Sequence, residues 1–292
     1  MTNANTESLQ GARTRLYWAA GRTRELPGDQ NRAGLSDIVN QASLDYAHAI
    51  VNPGTEVTLG WMKKTAFMIR SNALGLINNA QVISDIIDAE DDGFDVAMIG
   101  PNWDPGLRAA REAVTIPVAG PGEASMMVAR TLGARFAYLT VKGYGHLVWD
   151  GMKMSGADEH AIAYRPVREF LPLGALYESV VSCVEGRSDQ FLVLLEKVAK
   201  ECIADGADVI IAGGQFFGPA LLKHRFVQIP GTKVPVVDST ACGLKMAEML
   251  AGLRQRTGLE KSQHESSPFQ TPPREAIDRA RREFGLIPNV RN

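Results

Sequence analysis

Short apolar runs of β-rich composition alternate along this chain with longer stretches whose apolar residues recur at helical spacing. Runs at about 15–19, 55–60, 95–99 and 116–119 predict strands, and the patterns at about 34–49 and 75–91 predict helices between them. The second half repeats the order, with strands near 135–140, 161–165, 207–212 and 234–237. Strands that alternate with helices in this way predict parallel βαβ units.

The two halves also repeat one another. Gly93-Phe94-Asp95-Val96 leads into an apolar run ending at Ile99-Gly100, and 113 positions later Gly206-Ala207-Asp208-Val209 leads into Ile210-Ile211-Ala212-Gly213. A second pair, Ile116-Pro117-Val118-Ala119 and Val234-Pro235-Val236-Val237, is offset by 118, so the second copy carries about five extra residues near Phe226 to Lys233. Each copy then enters a helical pattern, Glu123 to Leu132 and Ala241 to Leu250. Arg15-Leu16-Tyr17-Trp18 and Arg135-Phe136-Ala137-Tyr138 match more loosely, at an offset of 120. Three matches in one order point to duplication; the alternative is a single doubly wound sheet with accidental similarity.

The expected fold class is therefore α/β, with two pseudo-symmetric parallel-sheet βα domains and the active site in the cleft between them. The expected boundaries are 14–119 with 238–257 for the first domain and 120–237 for the second. Residues 1–13 read as a disordered N-terminus. Residues 258–292 read as a polar linker and a helical arm starting at Pro273, a packing or oligomer clasp. Ligands of open parallel sheets sit outside the carboxyl ends of the strands. An approximate two-fold axis would set two such ends face to face. Pro101-Asn102-Trp103-Asp104 would then face Gly214-Gln215-Phe216-Phe217.

Composition narrows the function classes. Of 292 residues, 45% are hydrophobic and 22% charged, which excludes disordered and fibrous classes. With 31 Lys+Arg against 33 Asp+Glu and no local basic cluster, neither nucleic acid nor a membrane surface is an expected partner. No apolar run approaches the roughly 20 residues that span a bilayer. Met1 to Ala12 lacks the apolar core of a signal peptide. Cys183, Cys202 and Cys242 are too few and too scattered for a disulfide framework or a zinc cage. A cytoplasmic protein that self-associates and acts on a small molecule is expected.

Three stretches carry a resemblance. Asp95-Val-Ala-Met-Ile-Gly-Pro-Asn-Trp-Asp-Pro-Gly-Leu-Arg-Ala-Ala-Arg-Glu112 and Ile116-Pro-Val-Ala-Gly-Pro-Gly-Glu-Ala-Ser-Met126, with Val234-Pro-Val-Val-Asp238, resemble the aspartate/glutamate/hydantoin racemase superfamily. Hydantoin and allantoin racemases are resembled most, over roughly Arg15 to Leu253. The resemblance implies the same two-half fold that the repeat predicts. It also implies a cysteine after each paired strand, one on each face of the substrate. Those positions here are Pro101 and Gly214, and neither can exchange a proton. Inversion at carbon needs a donor and an acceptor on opposite faces. Of the three thiols, Cys202 reads as core, whereas Cys242 follows the last strand and can approach the cleft.

Other groups remain for the chemistry. The loop after Thr140 holds Lys142, Tyr144 and His146 within seven residues of a strand end, each able to act as an acid or base; a solvated loop is the alternative. Asp104 is either a base or the cap of the helix that Pro105 would start. Glu123 contacts substrate or begins a helix. Asn102 and Gln215 occupy equivalent places and both donate and accept hydrogen bonds. Gly213, Gly214 and the turn after Gly120 can offer backbone N–H groups to an oxyanion, or serve only as turns. Arg22 lies where Lys142 does in the other half, so two cations over one cleft would suit a carboxylate. Trp18, Trp61 and Trp103 fall at or just past strand ends, and Phe216 follows the opposed one, which predicts an aromatic-lined cleft and a bulky or aromatic substrate.

Phosphate loops, dinucleotide fingerprints, zinc-protease motifs and nucleophile elbows are absent from the sequence, and no cofactor or metal is expected. Asp158-Glu159-His160 reads as a solvated turn. Three functions compete. The first is a cofactor-independent lyase that cleaves a bulky carbon acid by decarboxylation or retro-aldol chemistry. The others are a hydantoin-type racemase with non-cysteine bases and an inactive ligand-binding paralogue.

Overall fold

The computed structural model describes residues 13–25, 34–65 and 69–288. The expected disordered segment 1–13 falls outside them except for Arg13. Two four-stranded parallel sheets organise the chain. The first contains β1 (Thr14–Ala19), β2 (Thr55–Gly60), β3 (Val96–Ile99) and β4 (Val118–Ala119), in the order β2-β1-β3-β4. The second contains β5 (Phe136–Val141), β6 (Val167–Leu171), β7 (Val209–Ala212) and β8 (Val236–Asp238), in the order β6-β5-β7-β8. The two orders are the same once the halves are aligned.

The repeat extends to single hydrogen bonds. Asp95 N donates to Arg15 O at 2.9 Å, and Asp208 N donates to Arg135 O at 2.9 Å. Each aspartate carboxylate then accepts the backbone N–H of the same arginine. Ala97 N donates to Pro117 O and Ile210 N to Pro235 O, both at 3.0 Å. These bonds join the segments that the sequence offsets of 113, 118 and 120 pair. β3 and β7, which lie inside their sheets, are wholly buried and read as continuous apolar runs, as strands covered on both faces do.

Helices cover the sheets. In the first half these are α1 (Leu35–Ile50), α2 (Asn72–Asp91) and α3 (Leu107–Ala113). After β4 comes α4 (Pro121–Leu132), which packs on β7 and β8 of the second sheet. The second half supplies α5 (Gly145–Met154), α6 (Leu176–Val184), α7 (Gln190–Ala204) and α8 (Gly218–Lys223). After β8 comes α9 (Ser239–Thr257), which crosses back onto β3 and β4. The exchanged helices α4 and α9 pack against each other. Their crossing is close because Gly243 has no side chain: a Cβ there would lie 2.8 Å from Met98 Sδ and 2.9 Å from Pro121 Cβ. The exchange holds the strand ends of the two sheets across one cleft.

Two sequence expectations shift. The strand expected at 161–165 is a lone bridge between Ala161 and Phe136. Arg165 turns the chain with φ 47°, and the strand begins after Pro166, six residues later than expected. Pro273 precedes the last helix, α10 (Arg274–Glu283), instead of being its first residue. That helix lies on α2, where Arg281 is buried and bonds Ser84 and Asp88. Among the described residues no helix is long and apolar enough to cross a membrane.

Candidate active site

The carboxyl ends of β1, β3, β5 and β7 meet in a narrow cleft with a cavity volume of about 100 Å³. The first half contributes Ala20 to Thr23, Glu25, Thr65, Ile69 and Pro101 to Trp103; the second contributes Val141, Tyr144, Leu173, Leu176, Tyr177 and Gly214 to Phe216. Pro101 and Gly214 therefore both line one space. Arg22, Asn102, Trp103, Tyr144, Gln215 and Phe216 are brought together here, as the sequence expected.

Aromatic rings form the walls. Trp103 stacks on Tyr144 with centroids 4.4 Å apart and planes 12° from parallel, joining the two halves. Tyr177 packs on Phe216 at 5.3 Å. The Arg22 guanidinium lies over Trp61 at 4.6 Å and over Phe216 at 5.1 Å. Trp61 thus touches the cleft through Arg22 and does not line it. Arg22 Nη1 donates to the carbonyls of Thr23 and Arg24, and Nη2 donates to Asn40 Oδ1 at 2.6 Å. Burial pulls the guanidinium below its ordinary pKa, opposed by Tyr177 and Glu25. Burial pushes the Tyr144 phenol up to about 12 and raises Tyr177 as well, so both hold their protons at neutral pH.

Several expected site residues lie elsewhere. Trp18 is wholly buried in the core with Leu16, Met98 and Leu244, because its place in β1 turns it away from the cleft. Lys142 and His146 are exposed and line a separate recess with Trp149, Arg165 and Glu169. Gly143, with φ 96°, turns the chain between Lys142 and Tyr144, and the ring of Tyr144 alone enters the cleft. Lys142 is thus not a second cation over the cleft. Among the described residues that line it, Arg22 is the one cation.

Asp104 is a cap, though of a different helix from the one expected. Its carboxylate accepts the N–H groups of Gly122 at 2.9 Å and Glu123 at 2.6 Å, at the start of α4. The equivalent helix α9 is capped by Asp238, which accepts from Thr240 N at 2.9 Å. The residue matching Asp238 is Gly120, so the cap must come from elsewhere; a Cβ on Gly120 would lie 2.6 Å from Asp104 Cγ. Asp104 fills the missing side chain's place. The N–H groups after Gly120 are consequently occupied and are not open to an oxyanion. Glu123 pairs with Arg111 at 2.7 Å, outside the cleft. Thr140 and Gly213 lie beneath the cleft: Thr140 Oγ1 accepts from Asn102 at 3.3 Å, and Gly213 N donates to Leu139 O.

The three thiols lie away from the cleft. Cys183 and Cys202 are buried in the second core. Cys242 packs beside Asp238, and burial pushes it up to about 12. Asp158–His160 is a single helical turn, and among the described residues no group of three or more His, Cys, Asp or Glu is placed to hold a metal.

Tyr177, Thr65 and Glu25 line the cleft without having been singled out from the sequence. Tyr177 has a usable signal: it follows the carboxyl end of β6, which lies six residues after the apolar run at 161–165.

Burial also raises three carboxylates, Asp104 to about 7 and Asp85 and Asp238 to about 6. For Asp104 it does so against the pull of two N–H donors. Between their ordinary range and these values, the folded chain keeps protons that the unfolded chain has released. The contribution of these three groups is full below that range and should fall by about 2 kcal/mol or more as pH rises from about 4 to about 7. Urea midpoints across this range check the sign; a flat or rising midpoint would contradict it.

Comparison with known proteins bears on the same residues. The profile of the Asp/Glu/Hydantoin racemase family matches residues 36–247. The chain belongs to that family. A hydantoin racemase of Rhizobium meliloti is 30% identical over 211 residues, which cover 72% of this chain and 82% of the relative. An allantoin racemase from Klebsiella pneumoniae superposes with a TM-score of 0.69 at 23% identity, covering 89% of this chain and 94% of that one. A liganded variant of arylmalonate decarboxylase superposes with a TM-score of 0.52 at 17% identity, over 85% and 96% of the two chains. At these identities the solved structures establish the shared two-domain fold.

Proposed function

We propose that this member of the racemase family is a lyase that works without a thiol pair. It breaks a C–C bond in a bulky or aromatic carboxylate by decarboxylation and protonates the resulting enolate from one face; retro-aldol cleavage, the other lyase chemistry expected, would need a base for the β-hydroxyl proton. One observation carries the reading: the titratable groups inside the cleft are proton donors. Tyr144 and Tyr177 keep their protons at neutral pH, and Pro101 and Gly214 stand where the resemblance implies cysteines. Glu25 is exposed at the rim.

A racemase must first take a proton from carbon, and phenols that hold their protons so tightly are poor bases at neutral pH. Decarboxylation makes the carbanion without a base. The electron pair of the breaking C–C bond stays on the α-carbon and spreads into the retained carboxylate, while the other carboxylate leaves as carbon dioxide. A phenol then gives its proton to the carbon, and water restores the phenol. Arg22 stabilises the negative charge through the aromatic-lined, low-dielectric cleft.

Phenylmalonate tests the reading: the expected products are carbon dioxide and phenylacetate, with solvent deuterium on the α-carbon in heavy water. The second reading, hydantoin racemisation, is favoured by the 30% identity to the Rhizobium meliloti hydantoin racemase. It predicts loss of optical rotation and deuterium exchange on a benzyl-substituted hydantoin, with no smaller product. That result would replace the lyase. A thermal shift with either compound and no turnover would instead mark a binding protein.

A further inference from the structure

The two halves of the cleft are chemically unequal, and the inequality lies in a pair of amides. Asn102 and Gln215 are equivalent residues, 113 positions apart, after β3 and β7. Asn102 is 5% exposed, and its amide N–H groups are engaged with the opposite half. Its Nδ2 donates to the Tyr138 hydroxyl at 3.4 Å and to Thr140 Oγ1 at 3.3 Å, and Tyr138 donates to the main-chain carbonyl of Asn102 at 2.9 Å. The first-half residues equivalent to Tyr138 and Thr140, at the offset of 120, are Trp18 and Ala20. Neither offers an acceptor, since an alanine methyl has none and the indole N–H is a donor.

Gln215 shows the consequence. It is 8% exposed and reaches into the first half beside Gly100, where a Cβ would lie 2.7 Å from Nε2. Among the described residues its Nε2 has no hydrogen-bond partner. Arg22, which lines the same cleft, repeats the pattern. Its terminal nitrogens are committed to Thr23, Arg24 and Asn40, while its buried Nε has no partner. Buried donors are nearly always satisfied, and the exceptions call for an explanation.

We propose that Arg22 Nε and Gln215 Nε2 form a one-sided clamp for a single carboxylate, one oxygen on each donor, so that the substrate or product class is a monoanionic aryl-carboxylate end. The proposal rests on the same cleft being the active site, as in the lyase reading. Three of the five Arg22 N–H groups are spent on Thr23, Arg24 and Asn40, and the buried Nε–H, which has no partner, is the one assigned to the carboxylate. One cation, two N–H groups and a narrow cavity match a planar carboxylate. A phosphate dianion needs more donors. The aryl group then lies along the Trp103–Tyr144 stack, and Asn102, already satisfied, acts as an interdomain bolt.

Calorimetric titration of the full chain with phenylacetate and with neutral phenylacetamide tests the clamp. The wild type should bind phenylacetate about tenfold more tightly than phenylacetamide, and Gln215→Met should weaken phenylacetate by about tenfold or more. Arg22→Lys should do the same despite keeping the charge, because an ammonium does not place a donor where Nε lies. Should Arg22→Lys fail to fold, Gln215→Met, nearly isosteric, carries the test with its near-ultraviolet circular dichroism as the folding check. Unchanged affinity in folded Gln215→Met, preference for the amide, or no binding of phenylacetate would overturn the clamp. The lyase reading is decided separately by the products from phenylmalonate, so the two can fail independently.

Discussion

Tyr144→Phe is expected to lower kcat by about 100-fold or more, the range for losing a general acid, while leaving KM within a few-fold. The substitution removes a single oxygen. The ring, its burial and its stack on Trp103 at 4.4 Å all remain, so the melting temperature should barely move. A phenol raised to about 12 is a donor throughout the neutral range, so the wild-type rate should not titrate with Tyr144 there. Steady-state kinetics on phenylmalonate across neutral pH check both points. Lys142→Met and His146→Ala belong in the same experiment, because those residues open into the other recess and should change the rate less than about threefold. A near wild-type rate in Tyr144→Phe would move the proton to Tyr177.

Gly213→Ala should destabilise the fold by about 3 kcal/mol, the upper end for overpacking a core, and disable the cleft with it. A methyl on Gly213 would overlap the ring of Tyr138. Tyr138 is wholly buried and bolted to Asn102, so its ring has little space to move into. Any shift that relieves the overlap breaks the contact that joins β5 to the loop after β3. Urea denaturation reads the loss. A variant with an unchanged midpoint would show that the interface has slack that its packing does not suggest.

Much of the architecture was legible because parallel βαβ units leave periodic marks. The pairs Asp95/Asp208 and Pro117/Pro235 hold equivalent backbone bonds, so the duplication survives as a repeat of residue types. The strand ends could be located in the same way, which is why Asn102, Trp103, Gln215 and Phe216 were found. Legibility failed where a strand's start was misjudged. Setting β6 at 161–165 hid Tyr177, because the rule that ligands sit at carboxyl ends is only as good as the end it is given.

Local periodicity and residue identity carried the α/β class, the two-fold repeat and the family, and they placed Pro101 and Gly214 at equivalent strand ends. Only the tertiary structure decided which way side chains point. Trp18 turns into the core, Asp104 crosses to cap a helix whose own cap position is Gly120, and the turn at Gly143 with the start of α5 at Gly145 separates Tyr144 from Lys142 and His146. It also decided that Asn102 is satisfied while Gln215 is not. Hydrogen-bond satisfaction belongs to a pair of groups, and the partners here lie in opposite halves of the chain, beyond the reach of any local pattern.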